Sequence, residues 1–525
     1  MAREHTQERG LTEGGPVYDL LIVGAGINGA GIARDAAGRG LSVLLCEQDD
    51  LAAHTSSAST KLIHGGLRYL EYYEFGLVRK SLQEREVLLR AAPHIIRPLS
   101  FVMPHSAGLR PAWMIRAGLF LYDHLGKREL LPASQAVDLR SHAAGQPLKP
   151  ELTQGFVYSD AWVDDARLVV LNVLDAYERG ARVLTHTRCV SARRYDDLWD
   201  VTLQPEGEAP ALVVRCRALV NAAGPWVVNF LHDALGLTSR RHLRLAKGSH
   251  IVVPRMFEHD HAYLLQNQDK RILFAIPYER EFTLIGTTDI EFEGDPSAPS
   301  ITNAEIVYLC DMANRYFAHA ISPADVLWTY AGVRPLLADG ADSLSAVTRD
   351  YFLECDATSE RAPLLSVFGG KITTYRRLAE EALALLAQSL PHMKPAWTAI
   401  APLPGGDIPN ADFEAFLTEF RRSTPWLPEA LARRYARAYG TRIDRLLAGA
   451  RSLAELGADF GGGLYDAEID YLVSQEWAQD ADDILWRRSK LGLHVSEETA
   501  RRLVERLKKI VARWAQGRTG SSRLV

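Results

Sequence analysis

The 525-residue chain is 47% apolar and 24% charged, the composition of an ordinary globular protein; it is longer than one hydrophobic core usually supports, so about two to four domains are expected. Its formal net charge of -5 provides no basic field for nucleic acid. Five scattered cysteines, Cys46, Cys189, Cys216, Cys310 and Cys355, include no C-x-x-C pair, which fits a reducing compartment and argues against zinc or another bound metal.

The opening residues MAREHTQERGLTEGGP are polar and lack the apolar centre of a secretory signal, so a flexible tail is expected. Tyr18-Asp19-Leu20-Leu21-Ile22-Val23 then reads as a central parallel strand, too continuously apolar to have one face in water. Gly24, Gly26 and Gly29 follow in G-x-G-x-x-G spacing. The first allows a tight turn, the second lets backbone approach a pyrophosphate, and the third lets the next helix, Ile27 to Arg39, pack closely. The phosphates would lie on that helix's free N–H groups. A second strand, Leu41 to Cys46, ends in Glu47. A carboxylate there accepts from both ribose hydroxyls and repels a 2′-phosphate, favouring FAD or NAD over NADP.

Ser56 to His94 begins with small hydroxyl residues, a histidine, paired glycines and an arginine. Ser56, Ser57, Ser59 and Thr60 are of the type that ligates phosphate or caps a helix, and Gly65-Gly66 lets backbone lie against a flat ring. Pro111 to Leu125 is the nearest approach to a membrane span, but Arg116 and Asp123 interrupt it. A cytosolic or membrane-surface protein is therefore expected, not an integral one. Two later segments repeat the strand-then-glycine pattern: Ala218 to Gly224, followed by Pro225-Trp226, and Leu364 to Phe368, followed by Gly369-Gly370-Lys371 and a helix from Thr373 to Leu390. Between them, Lys247 to Ile290 alternates short apolar runs with turns, as an antiparallel sheet does. The Pro/Gly-rich link Ala401 to Gly406 precedes helical periodicity from about Pro409. Near the end, Leu503, Val504, Leu507, Ile510, Val511 and Trp514 share one helical face opposite basic residues, a pattern suited to an anionic membrane surface or to a helix packed on its own domain.

With GAGINGAG, Glu47, SSASTKLIHGGLRYLE, NAAGPW, KGSHIVVP, GTTDIEF, AGVRPL and FGGKITTY in that order, the chain closely resembles the FAD-dependent glycerol-3-phosphate dehydrogenases of the bacterial aerobic, respiratory type. The resemblance runs from Tyr18 to ADDILWRRSKLGL at Ala481 to Leu493. It implies an α/β fold: a discontinuous Rossmann-like FAD-binding domain, an inserted antiparallel-sheet substrate domain and a C-terminal all-α domain. The expected divisions are residues 17–92, 151–224 and 344–390 for FAD, 93–150 and 225–343 for substrate, and 401–525 for the helices. It further implies oxidation of sn-glycerol 3-phosphate to dihydroxyacetone phosphate, with electrons passed to membrane quinone.

Oxidising an alcohol beside a phosphomonoester needs dianion recognition, a base for the hydroxyl proton and a flavin edge aimed at the carbon. Arg68 and Arg334 are the expected phosphate ligands, because a guanidinium fork donates two parallel hydrogen bonds. His250 is the preferred base, with His64 against the flavin ring and the alternative base. Lys371, after a glycine turn and before a helix, is placed to stabilise negative charge. The expected FAD cradle is Gly24, Gly26, Gly29, Glu47, Ser57, Thr60, Gly65, Gly66, Gly224, Gly369 and Gly370. The expected partners are glycerol 3-phosphate, a quinone and an anionic membrane surface, not nucleic acid; a homodimer is compatible with this reading. The expected location is cytoplasmic, on the inner face of the membrane. The rival readings are a soluble glycerol-3-phosphate oxidase that reduces dioxygen to hydrogen peroxide, and a flavin-holding regulatory protein without turnover.

Overall fold

The computed structural model describes residues 16–106, 110–267, 271–338, 349–358 and 361–517. Five strands lie parallel in the order Arg182–Leu184, Val43–Cys46, Val17–Val23, Leu212–Asn221, Arg361–Gly369, and Tyr351–Thr358 runs antiparallel at the edge. Leu20, Leu21 and Ile22 are fully buried because both faces are covered. Helices Ile27–Gly38, Asp165–Glu178 and Tyr375–Leu386 cover one face. The hairpin Thr187–Arg194 and Trp199–Pro205, with helix Val227–Asp233, covers the other. Each such core side chain stabilises the fold by roughly 1.5–3 kcal/mol. The chain leaves Val17–Val23 toward Val43–Cys46 on one side and returns through Leu212–Asn221 on the other. A crevice therefore opens beyond the carboxyl ends of the central strands, where open α/β sheets bind ligands.

The second sheet has ten strands, in the path Ile290–Glu291, Leu243–Pro254, Phe282–Gly286, Ile272–Tyr278, Ala262–Gln266, Ile96–His105, Gln154–Val163, Leu62–Ile63. Trp328–Leu337 also pairs with Leu243–Pro254, and Gln135–Asp138 with Gln154–Val163. All pairs are antiparallel except Ala262–Gln266 with Ile96–His105. Leu62–Ile63 and Gln154–Val163 belong to this sheet, although both fall inside segments that the sequence reading grouped with the dinucleotide domain. The change of sheet comes after Val163, where Asp164 caps helix Asp165–Glu178.

Residues from Ile408 onward form a separate helical core that includes Phe413, Leu417, Tyr435, Tyr439, Ile469 and Leu472. Buried ion pairs hold it to the rest: Arg167 to Glu476 at 3.0 Å and Arg488 to Asp50 at 2.7 Å. In the last helix, Glu497–Gly517, Leu503, Leu507 and Ile510 are buried in this core. Arg506 pairs with Asp466 and Asp470 at 2.6 and 2.8 Å. Of the two readings of this apolar stripe, Leu503, Leu507 and Ile510 follow packing on its own domain, while Val504 is exposed; the Val511 and Trp514 side chains lie outside the described residues. No described helix is long and apolar enough to cross a membrane.

Candidate active site

A cavity of about 470 Å³ lies beyond Val17–Val23, lined by Gly24, Gly26, Glu47, Thr187 to Val190 and Ala222 to Trp226. Gly24 has φ +100°, and a Cβ there would stand 2.6 Å from the Ala222 carbonyl oxygen. A Cβ on Gly29 would meet the Gly24 oxygen at 1.9 Å, so the helix packs on the turn only with glycine present. The N–H of Ile27, at the helix start, donates to Ser56 Oγ at 3.0 Å. Ser57 Oγ donates to the His54 carbonyl at 3.1 Å, and Ser57 lines a neighbouring cavity. Glu47 accepts from Ala25 N–H at 2.7 Å and Asp49 N–H at 3.1 Å; burial raises its pKa.

Of the other two strand ends, the one at Ala222 to Trp226 lines this cavity and the one at Gly369 packs on the Ile27–Gly38 helix. Gly224 has φ +57° and no atom near its missing Cβ, so it opens on the cavity. The Gly369-Gly370 turn reaches the Ile27–Gly38 helix, where Asn28 donates to the Gly369 carbonyl at 3.1 Å. Lys371 follows with its ammonium buried, without a hydrogen-bond partner and 3.8 Å above the Tyr69 ring centre. Burial lowers its pKa. An orphaned buried cation beside a glycine cradle fits a bound group that brings negative charge to this point, as a flavin ring does when reduced.

A second, smaller cavity of about 160 Å³ opens between the HGG segment and the antiparallel sheet. Thr60, His64, Gly66, Arg68 and Tyr69 line one side, Asp160 the floor, and Arg271, Asp289, Arg334 and Arg349 the other side. Arg68 lies on the 3-10 turn Leu67–Tyr72, with its guanidinium 3.4 Å from Tyr72 Oη. Arg334 is in mid-strand, not in a turn, paired to Ala246 across the ladder. It and Arg349 each contact Asp289 at 3.0 Å, and Arg334 Nε is buried without a partner. Thus both predicted arginines share one cavity; Tyr69 and Asp289, which fall inside the HGGLRYLE and GTTDIEF blocks without being singled out there, join them, and so does Arg349, outside every quoted block.

The two candidate bases differ in placement. His64 faces the cavity directly; burial first, then Lys371 and Arg85, lower its pKa to about 3. His250 is buried behind Thr60, with Nε2 3.0 Å from Thr60 Oγ1, its ring stacked on Tyr330 at 4.6 Å and Nδ1 unpartnered. Burial, then Lys61 and Arg334, push its pKa well below the usual value. Both imidazoles are therefore neutral near pH 7. Gly65 lies beneath the loop, its N–H 2.9 Å from Tyr122 Oη and 3.3 Å from Asp160.

Residues 19–376 match the family model described as FAD dependent oxidoreductase, and residues 396–517 match that of the C-terminal domain of alpha-glycerophosphate oxidase. A glycerol-3-phosphate dehydrogenase from Pseudomonas aeruginosa is 57% identical over 96% of this chain and 97% of that one. The chain belongs to the FAD-dependent glycerol-3-phosphate dehydrogenase family. A D-erythritol 1-phosphate dehydrogenase from Brucella abortus is also similar, 53% identical over 93% of this chain and 97% of its own length. Among solved structures, the glycerol-3-phosphate dehydrogenase from Bacillus halodurans complexed with FAD superposes with a TM-score of 0.74 at 28% identity, covering 96% of this chain and 92% of the other. The protein is an FAD-dependent oxidoreductase; Gly24, Gly26, Gly224 and Glu47, which line the larger cavity, are residues that would hold the cofactor.

Proposed function

We propose that this flavoprotein oxidises sn-glycerol 3-phosphate to dihydroxyacetone phosphate and passes the electrons to a quinone at a membrane surface. The observation that carries the substrate is charge: four guanidiniums and two carboxylates line the small cavity, and Arg85 already neutralises Asp160 at 2.7 Å. That excess suits a phosphate dianion. Bound FAD supplies the two-electron acceptor. Arg68 and Arg334 grip the phosphate, and Lys371 stabilises negative charge arising nearby. The hydroxyl proton passes to Thr60 Oγ1 and on to His250 Nε2, since Thr60 and not His250 faces the cavity. A bound dianion offsets the Arg334 charge that lowers the basicity of His250.

The membrane part rests on helix Ala112–His124. Trp113 is 68% exposed and Phe120 64%, with Met114, Leu121 and the neighbouring Tyr72, Tyr73 and Phe75 also exposed. Arg116 and Lys127 are exposed beside them. An apolar aromatic patch with basic flanks suits the boundary of an anionic bilayer. Tyr72 belongs both to this patch and to the cavity wall, so the cavity mouth adjoins the surface from which a lipid-dissolved quinone arrives. This reading includes a cytoplasmic location, on the inner face of the membrane.

The test is an anaerobic titration of the holoenzyme with glycerol 3-phosphate, with D-erythritol 1-phosphate in parallel, followed by flavin absorbance and then by reoxidation. Bleaching by glycerol 3-phosphate, slow recovery in air and fast recovery with a short-chain quinone are expected. Rapid peroxide formation in air would replace the quinone reading with the oxidase one. No bleaching would leave only a flavin-binding protein, and preferential bleaching by the four-carbon ester would reassign the substrate.

A further inference from the structure

The same helix that exposes Trp113 and Phe120 turns Ile115, Leu119 and Tyr122 inward, all at 9% exposure or less. Tyr122 does more than fill space. Its Oη accepts from the Gly65 N–H at 2.9 Å and donates to Asp160 at 2.8 Å. A phenol has one proton and two lone pairs, so both bonds form at once. Arg85, from helix Phe75–Ala91, donates at 2.7 Å to the same Asp160 oxygen, Oδ1, that Tyr122 and Gly65 approach. A Cβ on Gly65 would lie 2.6 Å from Tyr122 Oη and 2.5 Å from Leu82 Cδ2, so the loop backbone rests directly on the phenol. On one side of Gly65 is His64, and on the other Gly66 with φ +79°; both line the small cavity.

The geometry points to Tyr122 as a positioning residue for flavin reduction: its hydroxyl fixes the backbone of Gly65, and through it the place of His64 and Gly66 in the cavity wall. It touches neither substrate nor cofactor pocket itself. Without the hydroxyl, the Gly65 N–H keeps only the 3.3 Å contact to Asp160, and Asp160 loses a donor in a buried network where each unmade bond is expensive. A merely space-filling role at this position could be met by phenylalanine, which brings no buried oxygen to satisfy. The catalytic half of this inference rests on reading the small cavity as the place where substrate reduces the flavin; the backbone half does not.

The test compares Tyr122→Phe with Leu119→Ala in the full-length holoenzyme. Leu119 is buried on the same helix face and makes no side-chain hydrogen bond, so its truncation loosens packing without touching the network. Amide hydrogen exchange at Gly65 should rise at least tenfold in Tyr122→Phe and stay near wild type in Leu119→Ala, whatever the substrate proves to be. In anaerobic stopped-flow with glycerol 3-phosphate, Tyr122→Phe should lower the limiting rate of flavin reduction about tenfold or more. Its substrate Kd should move by less than about threefold, with FAD content kept and Tm lowered by only a few degrees. Leu119→Ala should lower Tm and leave the limiting rate alone. Unchanged exchange at Gly65 in Tyr122→Phe overturns the positioning role, and so does an equal loss of rate in the two variants. If wild-type flavin is not reduced while Gly65 exchange still rises, the functional reading of the cavity fails and the backbone role of Tyr122 stands.

Discussion

The two cavities are built from different materials. Around the larger one the contacts come mostly from backbone: a turn with φ +100° at Gly24, a helix start at Ile27, and small residues at the ends of two adjacent parallel strands. Around the smaller one they come from long side chains whose charges meet from distant parts of the chain, Arg68 from a 3-10 turn and Arg334 from mid-strand. A backbone site fails when bulk is added. A side-chain site fails when geometry is lost even though charge and volume are kept.

The largest expected effect breaks the first cavity. Gly26→Val puts a branched side chain beside Ser56 Oγ, which already stands 3.2 Å from where a Cβ would be, and into the path of the pyrophosphate. Folded but flavin-poor protein is expected on chromophore release and circular dichroism. Normal flavin content would mean the phosphates lie elsewhere. Next comes His250→Asn, which should slow flavin reduction by about a hundred- to ten-thousandfold while changing substrate binding little. If that variant is mild and His64→Asn severe, the proton goes to the imidazole facing the cavity, and the Thr60 relay is discarded. Arg334→Lys and Arg68→Lys keep charge but lose the fork, and a lost charge-assisted bond of roughly 1.5–3 kcal/mol raises the substrate requirement about ten- to a hundredfold. The loss should nearly vanish for glycerol, which has no phosphate. Equal losses for both would make Arg334 a structural partner of Asp289.

That contrast also decides what a sequence can reveal. The larger cavity is legible because its determinants are local: glycines fixed by turn geometry follow an apolar strand, and Glu47 ends the next strand. The smaller one is only partly so. Arg68 and Arg334 stand out as cations in apolar settings, but Asp160 and Tyr122 meet Gly65 across separations of 95 and 57 residues. A strand assignment brings His250 to the sheet, yet strand register decides which side chain faces the cavity, and here His250 is seated over Gly286, whose missing Cβ would lie 2.0 Å from the ring. Ser56 and Ser57 show the same one-residue ambiguity. The last helix shows the limit of periodicity, which locates an apolar face without saying what covers it.

The membrane assignment inherits that limit and can be broken directly. Replacing Trp113 and Phe120 with Ser removes exposed aromatic area without touching either cavity, and each side chain buried in a lipid boundary is worth roughly 1.5–3 kcal/mol. Binding to anionic vesicles should fall at least tenfold, with quinone-linked turnover falling alongside and dye-linked turnover kept. Truncation after Ala500 removes Leu503, Leu507 and Ile510 from the helical core, so loss of folding is expected from it rather than selective loss of membrane binding. A soluble, dye-active truncation that no longer binds vesicles would return the membrane contact to the C-terminal helix.

The smallest expected effect, measured in mild acid just below about pH 6.5, separates the substrate cavity from the joint between domains. His94 is 1% exposed with both ring nitrogens unpartnered, close to Gly405 and Gly440; burial, then Arg167 and Arg437, lower its pKa to about 3, the same as His64. In the unfolded chain each imidazole binds a proton near pH 6.5. Each folded pKa is depressed, so the stability it contributes is complete above about 6.5 and is lost as pH falls through that value toward 3, at up to about 1.4 kcal/mol per pH unit for each group. His94→Asn and His64→Asn should each flatten the acid limb of a denaturant-monitored stability curve by about one proton. Bound substrate should distinguish them. A phosphate dianion beside His64 counters Lys371 and Arg85, which hold its pKa down, so saturating glycerol 3-phosphate should shrink the proton deficit of the His64 site and leave that of His94 unchanged. An equal response at both sites would mean that the dianion does not lie beside His64, and the phosphate would then have to be moved away from the HGG side of the cavity.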